Sequence, residues 1–103
     1  MVGVNTTDRT GAPTTVTAEA DRFTIAVDGN TVGLIDFNDI DGRRIFPHTE
    51  IQPAYEGRGL ATILVAAALE ATRDAGLRIV PACSMVSGYI TKHPEYQPLV
   101  DPA

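Results

Sequence analysis

The feature that most restricts the fold of this chain is a glycine-containing turn placed between a strand pattern and a long helix pattern. Residues 43–52, RRIFPHTEIQ, have the composition of a strand, and EGRGLA at 56–61 follows them with two glycines. Apolar residues then recur at helical spacing from Leu60 onward, and LRIVPAC at 77–83 forms another apolar strand pattern. A strand, helix and strand in this order predict a β-α-β crossover with two parallel strands and the helix packed on the sheet.

The N-terminal side of this unit predicts antiparallel strands. RFTIAV at 22–27 and TVGLIDF at 31–37 flank Asp28-Gly29, a strong hairpin signal, and NDIDG at 38–42 predicts the next turn. Together with residues 43–52 these segments form a three-stranded meander. Because proline cannot donate a hydrogen bond to a sheet, Pro47 predicts a bulge or one-sided pairing in the third strand.

The helix patterns have recognisable faces and ends. Gly76 predicts the end of the long helix, and Ser84 and His93-Pro94 predict the first and last residues of a shorter helix in SMVSGYITKHPEY. The predicted apolar face of the long helix consists of Leu60, Ile63, Leu64, Ala67, Ala68, Ala71 and Ala75. The fold class is therefore α+β, or mixed α/β.

Composition limits the class of protein. The length of 103 residues fits one domain, which we place at residues 19–103 after a loose tail at residues 1–18 rich in Thr, Gly and Asp. A net charge of −5 argues against a nucleic-acid partner, because phosphate contacts dominate such binding. No apolar run is long enough to span a membrane, and the first residues lack the features of a signal peptide. We therefore expect a cytoplasmic protein without membrane or metal partners.

The glycine turn predicts an anion site. A helix N-terminus presents amide N–H groups that have no partner within the helix, and glycines let a phosphate approach them closely. The dinucleotide-binding pattern G-x-G-x-x-G fails, because the third glycine and the downstream acidic residue are absent, and the P-loop pattern is absent too. A different phosphate-bearing ligand is needed.

Four stretches indicate which ligand. EGRGLA at 56–61 matches the pattern Q/R-x-x-G-x-G/A at Gly59 and Ala61 and departs from it at Glu56. With HTEI at 48–51, VPACSMVSGYI at 80–90 and HPEYQPLV at 93–100, it makes the chain from about Arg22 to Val100 resemble the small single-domain branch of the GCN5-related N-acetyltransferase (GNAT) family. Ser84 stands where that branch more commonly has proline.

The resemblance implies a minimal GNAT fold, in which an antiparallel β-meander is followed by a β-α-β-α unit with splayed strands. It implies that the amides of Arg58, Gly59, Leu60 and Ala61, after the turn at Gly57, hold the pyrophosphate of acetyl-CoA, and that pantetheine lies in the gap between the splayed strands. The Arg58 side chain could also pair with a phosphate, or could simply be solvated. Cys83 would lie near the thioester and pack against pantetheine.

Four residues could take part in the chemistry. On an extended strand His48 and Glu50 point to the same face, where they could serve as a base, although a solvated strand face is the plain alternative. Tyr89 could protonate the leaving thiolate, or could be a core aromatic. Cys83 could carry the acetyl group covalently, but packing is the more common role of such a cysteine.

The leading hypothesis is an acetyl-CoA-dependent N-acetyltransferase in which an amine, from a small molecule or a protein, attacks the thioester directly. The alternative is a non-catalytic module that binds or senses acyl-CoA. A third, weaker hypothesis is an interaction domain with a vestigial anion site, which predicts no affinity for CoA. The sequence does not distinguish among them.

Overall fold

A computed structural model describes residues 4–101, which form one six-stranded sheet and two α-helices. The sheet has the order β1-β2-β3-β4-β5-β6, and every neighbouring pair is antiparallel except the parallel pair β5–β6. The elements in chain order are β1 Val4–Thr7, β2 Pro13–Ala18, β3 Arg22–Val27, β4 Asn30–Ile40, β5 Arg43–Ile51, α1 Leu60–Asp74, β6 Arg78–Val80 and α2 Ser84–Lys92. This arrangement confirms the predicted mixed α/β class, with a meander followed by a β-α-β-α unit.

The prediction of a loose tail at residues 1–18 is wrong for the part of it that the structure describes. Strands β1 and β2 form a hairpin, called here the N-terminal hairpin (residues 4–18), and β2 pairs with β3 from Thr14 opposite Val27 to Ala18 opposite Phe23. Thr14 and Val16 are buried. β-branched threonine suits a strand, but its polarity hides the alternation that identifies one. Residues 1–3 lie outside the described part of the chain.

The turns of the meander follow from their sequences. Asp28 and Gly29 have φ angles of 49° and 83°, so the predicted two-residue hairpin turn is confirmed as one with two left-handed residues. The next turn is shorter than the predicted segment NDIDG. Strand β4 continues to Ile40, and only Asp41 and Gly42 of this segment have positive φ angles.

Helix α1 packs on one face of the sheet against β3, β4, β5 and β6, and α2 packs beside it. The predicted apolar face of α1 is partly wrong, because Ala75 is exposed and the buried Val65 and Leu69 were left out of it. Ala71 is half-buried and packs against the core, as predicted. Alanine fits both environments, whereas larger side chains at Val65 and Leu69 gain more from burial. The buried residues of α1 are Leu60, Leu64, Val65, Ala68, Leu69 and Thr72.

The helix ends are set by backbone geometry. After α1, the N–H of Gly76 donates to the carbonyl of Arg73 and the N–H of Leu77 donates to that of Thr72, so the predicted glycine stop is confirmed. The predicted cap at Ser84 is wrong by one residue: extended Cys83 is the N-cap of α2, and Ser84 is its first helical residue. His93 ends α2, as predicted.

Strands β5 and β6 separate after a short contact. They pair only from Arg43 opposite Arg78 to Ile45 opposite Val80. Directly beyond, Phe46 and Pro47 together oppose one residue of β4, which confirms the predicted bulge. The rest of β5 pairs with β4 alone, so one edge of β5 from His48 to Ile51 is left open beside the start of α2. Neither α-helix within residues 4–101 is long and apolar enough to cross a membrane.

Candidate functional site

The N-terminus of α1 is an exposed turn of left-handed glycines. Gly57 and Gly59 both have a φ of 81°, a conformation that favours glycine. Gly59 is the N-cap residue and has no side chain with which to accept hydrogen bonds from the first turn of α1. The amides at the start of the helix, with its partial positive charge, are therefore available to an anion.

A cavity of about 270 Å³ lies directly at this turn. Gly57 of the turn lines it, as do Gly59, Leu60 and Ala61, which are three of the four residues whose amides were predicted to hold the pyrophosphate. Its other walls include Ile51 at the end of β5, Met85 in α2 and Arg9 from the N-terminal hairpin. The cavity thus lies between the glycine turn and the open edge of β5.

The remaining residue of these four, Arg58, directs its side chain towards the N-terminal hairpin. Its Nε donates to Oδ2 of Asp8 over 2.8 Å, and its Nη2 donates to Oγ1 of Thr10 over 3.1 Å. The Asp8 side chain is fully buried. The Thr10 hydroxyl, then the N–H groups of Ala12 and Thr10 and the Arg58 guanidinium, lower the pKa of Asp8 to about 2 against the opposing effect of burial. The Arg58 guanidinium therefore ties the hairpin to the turn.

Arg9 was missed by the sequence analysis, which placed it in a tail. Its N–H donates to the carbonyl of Arg58 over 2.9 Å, and its side chain lies along Gly59. A Cβ added at Gly59 would lie 3.3 Å from Nε of Arg9. No signal in the spacing TTDRTG indicates this position, because it depends on the pairing of the hairpin with the sheet.

His48 and Glu50 form a pair on β5, with Nε2 of His48 3.0 Å from Oε1 of Glu50. Both side chains are more than half exposed, at 55% and 62%, while their neighbours Thr49 and Ile51 are buried. The pair therefore occupies the sheet face that α1 does not cover, and the predicted shared face is confirmed.

Cys83 lies on the other side of β5 from that pair. Its Sγ is 3.3 Å from Oγ1 of Thr49. Burial favours the neutral thiol, but the Thr49 hydroxyl and the backbone N–H groups of Met85, Val86 and Thr49 outweigh it and lower the pKa of Cys83. Within residues 4–101 Cys83 makes no hydrogen bond to His48 or Glu50, so the predicted chemical residues fall into two groups separated by the strand.

The open edge of β5 presents backbone donors to the gap. The N–H of Gln52 donates to the carbonyl of Val32 in the preceding strand over 2.8 Å. Because amides alternate along a strand, the N–H groups of Thr49 and Ile51 point to the opposite, open edge. The effect of the Thr49 amide on Cys83 agrees with this direction. Thr49 is a second residue that the sequence analysis missed, although simple alternation within HTEI could have identified it.

Tyr89 lies in α2 and lines a second cavity, of about 280 Å³, between α1 and α2. This cavity shares Ala61, Thr62 and Met85 with the first one. Tyr89 stacks on His93 with ring centroids 4.0 Å apart. Burial first, and then the charges of Glu95 and Glu70, raise the pKa of Tyr89, so its phenol keeps its proton.

In the stretch from Val4 to Asp101, no three His, Cys, Asp or Glu side chains are grouped so that they could hold a metal ion.

Comparisons with known proteins agree with the geometry. A family model described as GCN5-related N-acetyl-transferase matches residues 22–99. Among solved structures, the chain is similar to the solution NMR structure of a GCN5-like protein from Staphylococcus aureus, to which N-acetyltransferase activity is assigned provisionally. The TM-score is 0.65 at 22% identity, over 85% of this chain and 88% of the other, so the likeness concerns the fold. No curated protein matches the chain.

Proposed function

Because the chain belongs to the GCN5-related N-acetyltransferase family, we propose that it transfers an acetyl group from acetyl-CoA to an amine. The observation that carries the proposal is that the glycine turn lies at the N-terminus of α1, beside the open edge of β5. One cavity contacts both features. A ligand with a pyrophosphate at the turn and a thioester along the strand edge fits this combination.

The turn suits the pyrophosphate for two reasons. Four amides, of Arg58, Gly59, Leu60 and Ala61, precede or begin α1, where a negative charge is stabilised by the helix. A Cβ at Gly59 would also crowd the Arg9 side chain, whose Nε would lie 3.3 Å away, so only glycine leaves this turn unobstructed. Within the gap, Cys83 at the start of α2 packs against pantetheine in this account.

Acetyl-CoA supplies an activated acetyl group, whose carbon–sulfur bond breaks as the amine nitrogen bonds to the acetyl carbon. The amine approaches from the exposed face of β5, where Glu50, directly or through water, takes its proton and His48 at 3.0 Å assists. The N–H groups on the open edge of β5 stabilise the negative charge that develops on the thioester oxygen. Tyr89, which keeps its proton, supplies one to the leaving thiolate.

Binding is tested by calorimetric titration of the purified protein with acetyl-CoA and with CoA. We expect the wild type to bind both, and Gly59→Glu to lose detectable binding, because a carboxylate would stand where the phosphates lie. Gly29→Glu is the matched control: it has the same left-handed backbone, at φ 83°, and adds the same charge far from the cavity. A wild type that binds neither ligand would remove the basis for the proposal.

Catalysis is tested by release of free CoA in the presence of a panel of amines, including small amines and peptides with lysine or a free N-terminus. For an accepted amine we expect Glu50→Gln to lower kcat about a hundredfold, because general-base catalysis commonly contributes that much, with little change in affinity for acetyl-CoA. Cys83→Ser should retain turnover if the amine attacks directly. If Cys83→Ser loses turnover, and acetylated Cys83 is detected in the wild-type protein, Cys83 carries the acetyl group covalently.

The non-catalytic alternative predicts a different result from the same proteins. A sensor of acyl-CoA would bind acetyl-CoA through the glycine turn and release no CoA with any amine. Substitution of Glu50, His48 or Tyr89 would then leave its affinity unchanged.

A further inference from the structure

The N-terminal hairpin reaches the proposed pyrophosphate site from outside the region that the family model matches, which begins at residue 22. The turn of the hairpin is held there by three contacts. The N–H of Arg9 donates to the carbonyl of Arg58, and the Arg58 guanidinium binds the buried carboxylate of Asp8 and the hydroxyl of Thr10. The hairpin turn is therefore held next to α1 on both sides of Arg9.

Arg9 differs from every other arginine of the chain. All seven arginines lie within residues 4–101, and only the Arg9 guanidinium makes no ion pair or hydrogen bond there. Each of the other six arginines has a partner. Five form ion pairs, which are Arg22 with Asp36, Arg43 with Asp101, Arg44 with Asp39, Arg58 with Asp8 and Arg73 with Glu70. The sixth, Arg78, donates a hydrogen bond to the carbonyl of Val100. In a chain with a net charge of −5, carboxylates are plentiful, yet this guanidinium has none.

Arg9 is exposed, so its guanidinium is open to solvent and to a ligand, and its surroundings indicate which ligand suits it. Its side chain lies against Gly59, the N-cap of α1. Arg9 lines the cavity at the glycine turn and also a third cavity, of about 260 Å³, whose walls include Asp8 and Arg58. A helix N-terminus carries partial positive charge, so a cation placed there is unfavourable unless an anion lies between them. The planar guanidinium is also the side chain best matched to two phosphate oxygens at once.

We propose that Arg9 is a phosphate-binding residue of the acetyl-CoA site and contacts the pyrophosphate together with the amides of the glycine turn. Asp8 and Arg58 position it, because the ion pair between the buried Asp8 carboxylate and the partly exposed Arg58 guanidinium holds the hairpin turn in place. The inference rests on the proposed function, because it concerns the same site, and it extends that site beyond the family-matched region.

The test compares the dissociation constants of CoA and dephospho-CoA, which share the pyrophosphate and differ in the 3′-phosphate. We expect Arg9→Gln to weaken both ligands by about tenfold, equivalent to about 1.4 kcal/mol, and to lessen the salt dependence of binding. Arg73→Gln is the matched control, because it removes the same charge at the opposite end of α1. Arg9→Lys should recover part of the affinity.

The outcomes separate the two proposals. If the wild type binds CoA, Gly59→Glu abolishes binding and Arg9→Gln binds like the wild type, the role of Arg9 is wrong while the site stands. If Arg9→Gln binds CoA more weakly than the wild type but binds dephospho-CoA equally well, Arg9 contacts the 3′-phosphate and its assignment to the pyrophosphate is wrong. If the wild type binds neither ligand, the proposed function fails and this inference fails with it. Amide NMR spectra of each variant verify that the fold is intact.

Discussion

Cys83 illustrates how much a single residue depends on its neighbours in the fold. It is the N-cap of α2, where the N–H groups of Met85 and Val86 favour its ionised form, and Thr49 of β5 adds a hydroxyl and an amide from across the gap. Each of these donors stabilises a thiolate, and together they lower the pKa of Cys83 although burial opposes ionisation. The lowered pKa of the Cys83 thiol therefore depends on its position between β5 and the start of α2.

This environment predicts the pH dependence of alkylation. Because only the thiolate reacts, the rate with iodoacetamide should reach half its maximum below pH 9.0, the ordinary pKa from which that of Cys83 is lowered. Thr49→Val removes the hydroxyl donor and should move the midpoint to higher pH. Thr24→Val, on a partly exposed position of β3, should not move it. A midpoint that is unchanged in Thr49→Val would show that the hydroxyl does not stabilise the thiolate.

At the scale of elements, the close approach of three strands at Gly33 supports the part of β5 that carries the site. Gly33 of β4 pairs with Ile25 on one side and with Ile51 on the other. A Cβ there would lie 2.5 Å from Cδ1 of Ile51 and 3.0 Å from both the Glu50 carbonyl and Cγ2 of Ile25. The strands around the site thus pack too closely for any side chain at this position.

Two glycine substitutions with opposite expected effects follow. Gly33→Ala should lower the free energy of unfolding by about 1–3 kcal/mol, because the added methyl group forces packed atoms apart. Gly88→Ala, inside α2 with open space around it, should raise that free energy by up to about 1 kcal/mol, because alanine favours a helix. Urea denaturation measures both. Equal effects of the two variants would contradict the close packing at Gly33.

Elements with strong local signals could be predicted from the sequence, and those identified only by pairing could not. The Asp28-Gly29 turn, the stop at Gly76 and the bulge at Pro47 each follow from the chemistry of one or two residues. Strand β2 was missed because its inward residues include Thr14, which does not look like a core residue although it is buried. Parts of the α1 face were misplaced because alanine carries little information about burial.

For the molecule as a whole, the N-terminal hairpin is an integral part of the domain. It adds two strands to the edge of the sheet and is connected to the start of α1, some fifty residues later in the sequence, through Asp8 and Arg58. The site residues of β5, α1 and α2 could be proposed from sequence, since they lie within local motifs. Asp8 and Arg9 could not, because only the complete sheet brings the hairpin to the glycine turn.

This connection predicts a pH-dependent contribution to stability. Asp8 has a pKa of about 2 in the folded protein and 3.8 as its ordinary value. A lowered pKa stabilises the folded state above the ordinary value, and that stabilisation is lost as the pH falls from about 4 towards 2. Asp8→Asn should therefore be less stable than the wild type at neutral pH, and the difference should shrink in acid.

Urea denaturation of both proteins across this pH range measures the difference. A constant difference between Asp8→Asn and the wild type from neutral pH to pH about 2 would show that ionisation of Asp8 does not contribute to stability. Thermal unfolding at neutral pH provides an independent check.

The central claim is that the amides at the start of α1 hold the pyrophosphate of acetyl-CoA. The most direct test is a titration of isotope-labelled protein with acetyl-CoA, followed in two-dimensional amide NMR spectra. We predict saturable shifts that are largest for the amides of Arg58, Gly59, Leu60 and Ala61, with the Gly29 amide unchanged. Saturable shifts located elsewhere, or no shift at the glycine turn at a saturating concentration of acetyl-CoA, would contradict the claim.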